Sequence, residues 1–286
     1  MSAENGNLLC NASVRLLRAV DDARVMRVFP DGPKLRYRAG QYGSLGLSAE
    51  RDPSRLVKRA YSLSDSIIDR ATGALVDPAE TPYYEFYVNL VPDAPSEIER
   101  LSPKLFSLRD GDRIFCGTKI VGHYTLENVP PRRNILFLAT TTGESPHNSM
   151  IGELLRENRP VRIANLVVGD ARWRSQYAVE HALLAQRHPR YRRIAVTCGA
   201  YRELEDAATS MLQSADLAHE RLGFALDPES CHVFLCGDPA MIGAPKKQGA
   251  WQYEYPDSGL MRIFGKFGFS LSTRFRNGSI AYESYW

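Results

Sequence analysis

The sequence predicts two domains, an antiparallel β barrel or sandwich followed by a parallel α/β sheet. Three observations carry this. A chain of 286 residues is long for one hydrophobic core and suits two. Its first part reads as short β-rich segments separated by turn chemistry. Beyond Pro130-Pro131 the pattern changes to continuous apolar runs separated by helical stretches.

The β-rich segments of the first part are 14–17, 25–29, 42–47, 59–63, 83–90 and 113–116. Between them lie Asp31-Gly32-Pro33, Ala39-Gly40, Asp52-Pro53, Thr72-Gly73 and Asp110-Gly111, all turn formers. Strands at this spacing without regular helices point to an antiparallel barrel or sandwich. One helix is expected over 96–107. The paired prolines divide the chain into residues 1–130 and 131–286. After them, residues 134–139 form a run suited to a strand buried on both faces, and similar runs follow at 161–168, 194–198 and 232–236. Helical stretches at 148–157, 178–186 and 204–217 separate these runs, which predicts βαβ units. Right-handed crossovers then place a ligand crevice beyond the carboxyl ends of the strands. The tail from 249 to 286 is rich in aromatics and glycine, and no internal repeat is present.

Composition narrows the function classes. With 44% hydrophobic and 24% charged residues the chain is an ordinary globular protein. No apolar run approaches the roughly 20 residues that span a bilayer. The polar N-terminus lacks a cationic-then-apolar leader, so a cytoplasmic protein is expected, with no membrane partner. The net charge is only +3, but basic residues pair at Lys58-Arg59, Arg132-Arg133, Arg192-Arg193 and Lys246-Lys247, where they suit phosphates or an acidic protein. Aromatics do not alternate with them as in a nucleic-acid binder. The cysteines, Cys10, Cys116, Cys198, Cys231 and Cys236, include no CxxC pair, which argues against a zinc site or an iron–sulfur cluster. Cys231 and Cys236 share one strand at odd spacing and should face opposite ways.

Four motifs carry chemistry. Arg59-Ala60-Tyr61-Ser62 closes a strand and offers what a flavin needs: a cation for its pyrophosphate, a flat ring, and a hydrogen bond near its reactive nitrogen. Period-two geometry puts Arg59 and Tyr61 on one face and Ser62 on the other. Alone, this stretch also reads as an edge strand. Ala139-Thr140-Thr141-Thr142-Gly143-Glu144-Ser145-Pro146 joins the first parallel strand to a helix with small and hydroxyl residues, as a phosphate-approaching turn would, though it is not GxGxxG. Cys236-Gly237-Asp238-Pro239-Ala240-Met241-Ile242 ends the last parallel run, where a nicotinamide can stack, and Pro239 suits a helix start. A buried thiol there is equally an apolar filler. The chain ends in Glu283-Ser284-Tyr285-Trp286, two aromatics that call for a flat surface to cover or a core to anchor.

In this order the four motifs resemble the ferredoxin–NADP(+) reductase family, bacterial branch, over nearly the whole chain. Gly40-Gln41-Tyr42-Gly43-Ser44-Leu45-Gly46-Leu47, Leu101-Ser102-Pro103-Lys104-Leu105, Asp110-Gly111-Asp112 and Gly122-His123-Tyr124-Thr125-Leu126 add to the resemblance. It implies an antiparallel FAD-binding barrel over residues 1–130 and an NADP-binding α/β domain over 131–286 with a flavin-covering tail. It implies that Arg59, Ala60, Tyr61 and Ser62 bind FAD, with Tyr61 stacked on the isoalloxazine and Ser62 near N5. Gly122, His123 and Tyr124 would form a second flavin-phosphate loop, and Thr142 would approach the dinucleotide. Cys236 and Glu283 would line the nicotinamide site, making Ser62, Cys236 and Glu283 the catalytic set. Tyr285 would cover the other flavin face and Trp286 the adenine side. The implied activity is hydride exchange between NADP(H) and flavin N5, with one-electron release to ferredoxin and/or flavodoxin by a monomer. Candidates for the 2′-phosphate of NADPH are Arg172, Arg202 and Arg221, since such a phosphate wants several arginines at strand ends. An NAD(P)H-dependent flavoreductase with a quinone, flavin or oxygenase acceptor would share every motif, and a non-enzymatic barrel module would take up no FAD.

Two departures stand out. The loop before Ser145 has one glycine where the family has two, and Glu144 brings a negative charge toward phosphates. Gly243 and Pro245 cut short the helix after Met241.

Overall fold

The computed structural model describes residues 9–20, 22–91, 99–248 and 253–285. Strands β1 (Ala12–Val20), β2 (Ala23–Pro30), β3 (Tyr42–Ser48), β4 (Leu56–Ser62), β5 (Tyr84–Asn89) and β6 (Arg113–Val121) form one antiparallel sheet in the order β4-β3-β6-β1-β2-β5. Its edge strands meet through the antiparallel bridge between Leu63 and Phe86, which curls the sheet into a barrel. Val14, Met26, Leu45, Phe86 and Ile114 fill the interior. Helix α1 (Leu101–Ser107) packs beside β3 and β4. It is shorter than expected. Residues 96–98 of the expected helix lie outside the described residues, and Arg100 is extended. Pro103 has no N–H and fits only a first turn, which fixes the start near Leu101.

The second sheet is parallel, with order β13-β10-β7-β8-β9. Its members are β7 (Asn134–Thr140), β8 (Ile163–Gly169), β9 (Tyr191–Thr197), β10 (Cys231–Gly237) and β13 (Ile280–Ser284). The intervening helices are α2 (Glu144–Arg156), α3 (Ala178–Arg187), α4 (Tyr201–Gln213), α5 (Ala215–Leu222), α6 (Pro239–Ile242) and α7 (Leu260–Lys266). A two-stranded ribbon, β11 (Lys246–Lys247) and β12 (Tyr253–Glu254), precedes α7.

Several expectations need correction. The stretch 204–217 is two helices, because the Ser214 side chain accepts from Leu217 N and caps α5 afresh. Helix α2 starts at Glu144, since Pro146 is tolerated in a first turn. The tail contributes a helix and the fifth parallel strand. Pro239 does open α6, and Gly243 ends it in the left-handed region.

The parallel sheet buries both faces. Leu136, Val168, Leu235 and Cys231 pack with α4 to α7 on one side. Phe137, Phe234 and Cys236 pack on the other side with Met150 of α2 and with Val25 and Tyr87 of the barrel, so the two sheets share a core. Cys231 and Cys236 thus do face opposite ways. Among the described residues no helix is long and apolar enough to cross a membrane.

Candidate functional site

The chain order reverses between β7 and β10, which places the topological switch at the carboxyl ends of these neighbours. There, Asp238 N donates to Thr140 Oγ1 at 2.8 Å. Strand β13 runs beside β10 in parallel register, setting Glu283 opposite Cys236. One residue beyond β13, Tyr285 N donates to Gly237 O at 2.9 Å.

Strand β4 of the barrel ends at this same point. The Ser62 hydroxyl donates to Glu283 Oε2 at 3.1 Å and accepts from the Tyr285 phenol at 3.0 Å. Ser145 of α2 donates to the Ser62 carbonyl at 3.0 Å. Ser62, Cys236, Glu283 and Tyr285, spread over more than 220 residues, are therefore one cluster. Burial pushes the Glu283 carboxyl up to about 7, while the Ser62 bond pulls the other way. This carboxyl can hold or release a proton near neutrality. Burial, with Glu283 adjacent, drives the Cys236 thiol well above its ordinary value, so it stays protonated and is no thiolate nucleophile.

The other barrel residues divide. Arg59 is exposed, and its guanidinium donates to the neighbouring Lys58 carbonyl at 2.8 Å. Ala60 is exposed, and Tyr61 is half-buried with its phenol pushed up to about 12 by burial. Gly122 and His123 lie on an accessible loop, where Gln41 Nε2 donates to Gly122 O at 3.3 Å. Tyr124 points inward instead. It is buried in the core shared by the two sheets, with its phenol 2.7 Å from His147 Nε2. Burial lowers that imidazole to about 3, so it is neutral.

A cleft of about 1100 Å³ opens at the carboxyl ends of the parallel strands. Thr140, Gly169 and Cys198 line it from the strand ends, and Asn89 and Leu90 line it from the barrel. Arg172 lines it, and Arg202 is exposed in the first turn of α4, next to the lining residue Tyr201. Arg221 lies elsewhere, at the end of α5. Its carbonyl accepts from Arg192, the second residue of β9, at 2.8 Å, which puts it at the amino ends of the strands. Thr142 is buried beneath the loop. A Cβ on Gly143 would sit 2.4 Å from the Cys236 carbonyl, so only glycine allows this approach. Thr141 adopts φ +43°, a left-handed conformation disfavoured for a β-branched residue. The loop is thus strained at Thr141. Glu144 does not face the cleft. It is fully buried, accepting from Ser175 Oγ at 2.7 Å and lying 3.5 Å from Arg193 Nη2. Trp286 lies outside the described residues.

Sequence reasoning did not single out Ser145, Trp173 or Arg174. Trp173 and Arg174 line the cleft. Their signal was present in Asp170-Ala171-Arg172-Trp173-Arg174, an aspartate turn after a buried strand, where Asp170 Oδ1 accepts from Arg172 N and Trp173 N at 2.8 Å.

No family model matches the chain. The flavodoxin/ferredoxin–NADP reductase of Escherichia coli (strain K12) is 30% identical over 219 residues, covering 73% of this chain and 77% of that protein. The ferredoxin–NADP reductase of Pseudomonas aeruginosa is 25% identical over 227 residues, with the same coverage of 73% and 77%. Among solved structures, a ferredoxin NADP+ reductase from Neisseria gonorrhoeae with bound FAD and NADP matches with a TM-score of 0.66 and 17% identity over 96% of this chain and 97% of that one. The last shows the fold. The sequence relationship, together with a barrel strand and a parallel-sheet edge that meet at Ser62 and Glu283, shows that the chain belongs to the flavodoxin/ferredoxin–NADP reductase family.

Proposed function

We propose that this protein is an FAD-dependent oxidoreductase that moves electrons between NADP(H) and ferredoxin and/or flavodoxin, acting as a cytoplasmic monomer. In this reading residues 1–130 hold FAD and residues 131–286 hold NADP(H). The observation that carries it is the convergence of Ser62, Glu283, Cys236 and Tyr285 at the switch point, beside a cleft large enough for a dinucleotide.

The residues present fit both groups. Arg59 offers an exposed guanidinium with spare donors for a pyrophosphate, and Tyr61 offers a partly accessible ring on the same strand. Thr140 and Thr141 bring the strand-to-helix turn to the cleft, where its backbone would meet the dinucleotide, while Arg172 in the cleft lining and Arg202 beside the lining residue Tyr201 offer guanidiniums to a 2′-phosphate. FAD, when bound, accepts hydride at N5 and gives up electrons one at a time. Ser62 would offer its hydroxyl to the bound flavin, oriented by the Glu283 carboxylate and the Tyr285 phenol. Glu283 keeps a proton available near neutral pH. Cys236, uncharged and fully buried in the shared core, would meet a nicotinamide only once Tyr285, which packs against that core, had moved aside. Tyr285 occupies the space next to Ser62 and excludes water from it.

An acceptor panel tests the reading. Purified, FAD-loaded protein should oxidise NADPH with ferredoxin or flavodoxin as acceptor. Turnover only with quinone, free flavin or an oxygenase component would replace the carrier assignment with that of a flavoreductase.

A further inference from the structure

Glu144 is a carboxylate in a place where an apolar side chain would be cheaper to bury. It is fully buried in the first turn of α2, and its surroundings are built for it. Ser175 donates to Oε1 at 2.7 Å, and the guanidinium of Arg193 lies 3.5 Å from Oε2. His181 Nε2 is 3.7 Å from the same oxygen. The hydrogen bonds around this histidine fix its state. Asn148 Nδ2 donates to Ser64, so Asn148 Oδ1 is the acceptor for His181 Nε2–H at 2.9 Å. His181 Nδ1 then accepts from the Tyr191 phenol at 2.7 Å. The imidazole is neutral, and the cation opposite Glu144 is Arg193.

What the carboxylate holds is the segment that walls the cleft. The Ser175 hydroxyl that donates to Glu144 also accepts from Tyr177 N, at 3.2 Å. At the other end of the segment, Asp170 fastens the backbones of Arg172 and Trp173, each at 2.8 Å. Between these two ties, the Trp173 ring packs against Gly169, where a Cβ would come within 2.4 Å of it. Arg174 folds back onto the carbonyls of Ala171 and Trp173. Arg172 is left presented to the cleft. The same turn of α2 reaches the flavin-facing strand through Ser145 and the Ser62 carbonyl.

We propose that Glu144 is a positioning residue for the nucleotide cleft: it clasps the 170–177 segment to the first turn of α2 and so holds Arg172 and Trp173 where the adenosine half of NADP(H) binds. The proposal rests on the reading that this cleft takes NADP(H). It assigns a purpose to the negative charge that the loop sequence places beside a phosphate site: the charge is turned inward, away from the phosphates, and spent on Ser175 and Arg193.

The test compares Glu144→Gln, Ser175→Ala and the double variant as FAD-loaded full chains. Binding of 2′,5′-ADP is measured by calorimetry and steady-state constants with NADPH. Each single variant should raise the Kd for 2′,5′-ADP and the KM for NADPH about five- to twenty-fold, as expected when one charge-assisted bond of a clasp is lost. kcat should stay within about twofold. The double variant should be no worse than the poorer single one, because both break one link. Unchanged Kd in folded variants, or effects that multiply, would overturn the clasp; a fall in melting temperature with unchanged Kd would mean that Glu144 only supports the fold. If Glu144→Gln does not fold, Ser175→Ala carries the same comparison. Wild-type protein that binds neither 2′,5′-ADP nor NADP+ overturns the cofactor reading and this inference with it, whereas normal wild-type binding with unaffected variants overturns this inference alone.

Discussion

The Ser62 hydroxyl and the Glu283 carboxylate, 221 residues apart, are joined by a hydrogen bond of 3.1 Å between the last residue of a barrel strand and the edge strand of the parallel sheet. The pair is oriented, since Ser62 donates to Glu283 while accepting from Tyr285.

Loss of either member should slow flavin reduction. Ser62→Ala and Glu283→Gln are each expected to lower the hydride-transfer rate by about 10²-fold, the lower range for a positioned proton-transfer group. Stopped-flow reduction by NADPH measures this, and a loss below about threefold in both variants would remove the pair from the chemistry.

The pH dependence follows from the Glu283 carboxyl, raised to about 7 by burial. Its folded-state value lies above the ordinary carboxylate value. Its contribution to stability is therefore full below that ordinary value and is lost as pH rises through about 7. Glu283→Gln should flatten the stability profile between about pH 4.5 and 7 and remove any kinetic inflection near 7. Melting temperatures across this window check the sign; a wild-type stability that rises through it and an unchanged slope in the variant would contradict the assignment.

Arg59→Ala should weaken FAD retention about 10- to 100-fold, the loss of charge-assisted bonds to phosphate. Equilibrium dialysis of the apoprotein with FAD measures it. Unchanged affinity would move the pyrophosphate elsewhere.

The arginines predict cofactor preference. Arg172→Ala and Arg202→Ala should each raise the KM for NADPH several-fold and leave that for NADH nearly unchanged. Arg221→Ala, at the opposite end of the strands, should change neither. An equal loss with both nucleotides, or an effect confined to Arg221, would refute the placement of the 2′-phosphate.

Thr141 offers a test of the loop. Its φ of +43° costs roughly 1–2 kcal/mol for an L residue. Thr141→Gly should relieve part of this and raise stability by up to about 1 kcal/mol, despite the added freedom of the unfolded chain. A lower melting temperature would show that the threonine side chain contributes more than its strain removes.

Much of this was legible in sequence because burial writes a pattern. Residues 134–139 read as a doubly buried strand since β7 lies inside its sheet. Strand β13 did not, because it is an edge strand whose sequence, Ile280-Ala281-Tyr282-Glu283-Ser284, mixes polar and apolar residues. Edge position also hid the start of β9 at Tyr191-Arg192-Arg193. Ser62, Cys236, Glu283 and Tyr285 were found through motif order, but their hydrogen bonds depend on two sheets meeting, which no local pattern encodes. Tyr124 looked like a ligand contact by its place in a glycine loop, yet an available partner, His147, let its phenol be buried. Likewise Tyr285, expected to cover a flavin face, is tied by its backbone to Gly237 and by its phenol to Ser62.

The most direct measurement of the central claim is anaerobic mixing of the FAD-loaded protein with NADPH or NADH, followed by addition of ferredoxin or flavodoxin. NADPH should bleach the flavin much faster than NADH, and either carrier should restore the oxidised spectrum. A chain that retains no FAD, or a flavin that NADPH reduces no better than NADH and neither carrier reoxidises, would contradict the account.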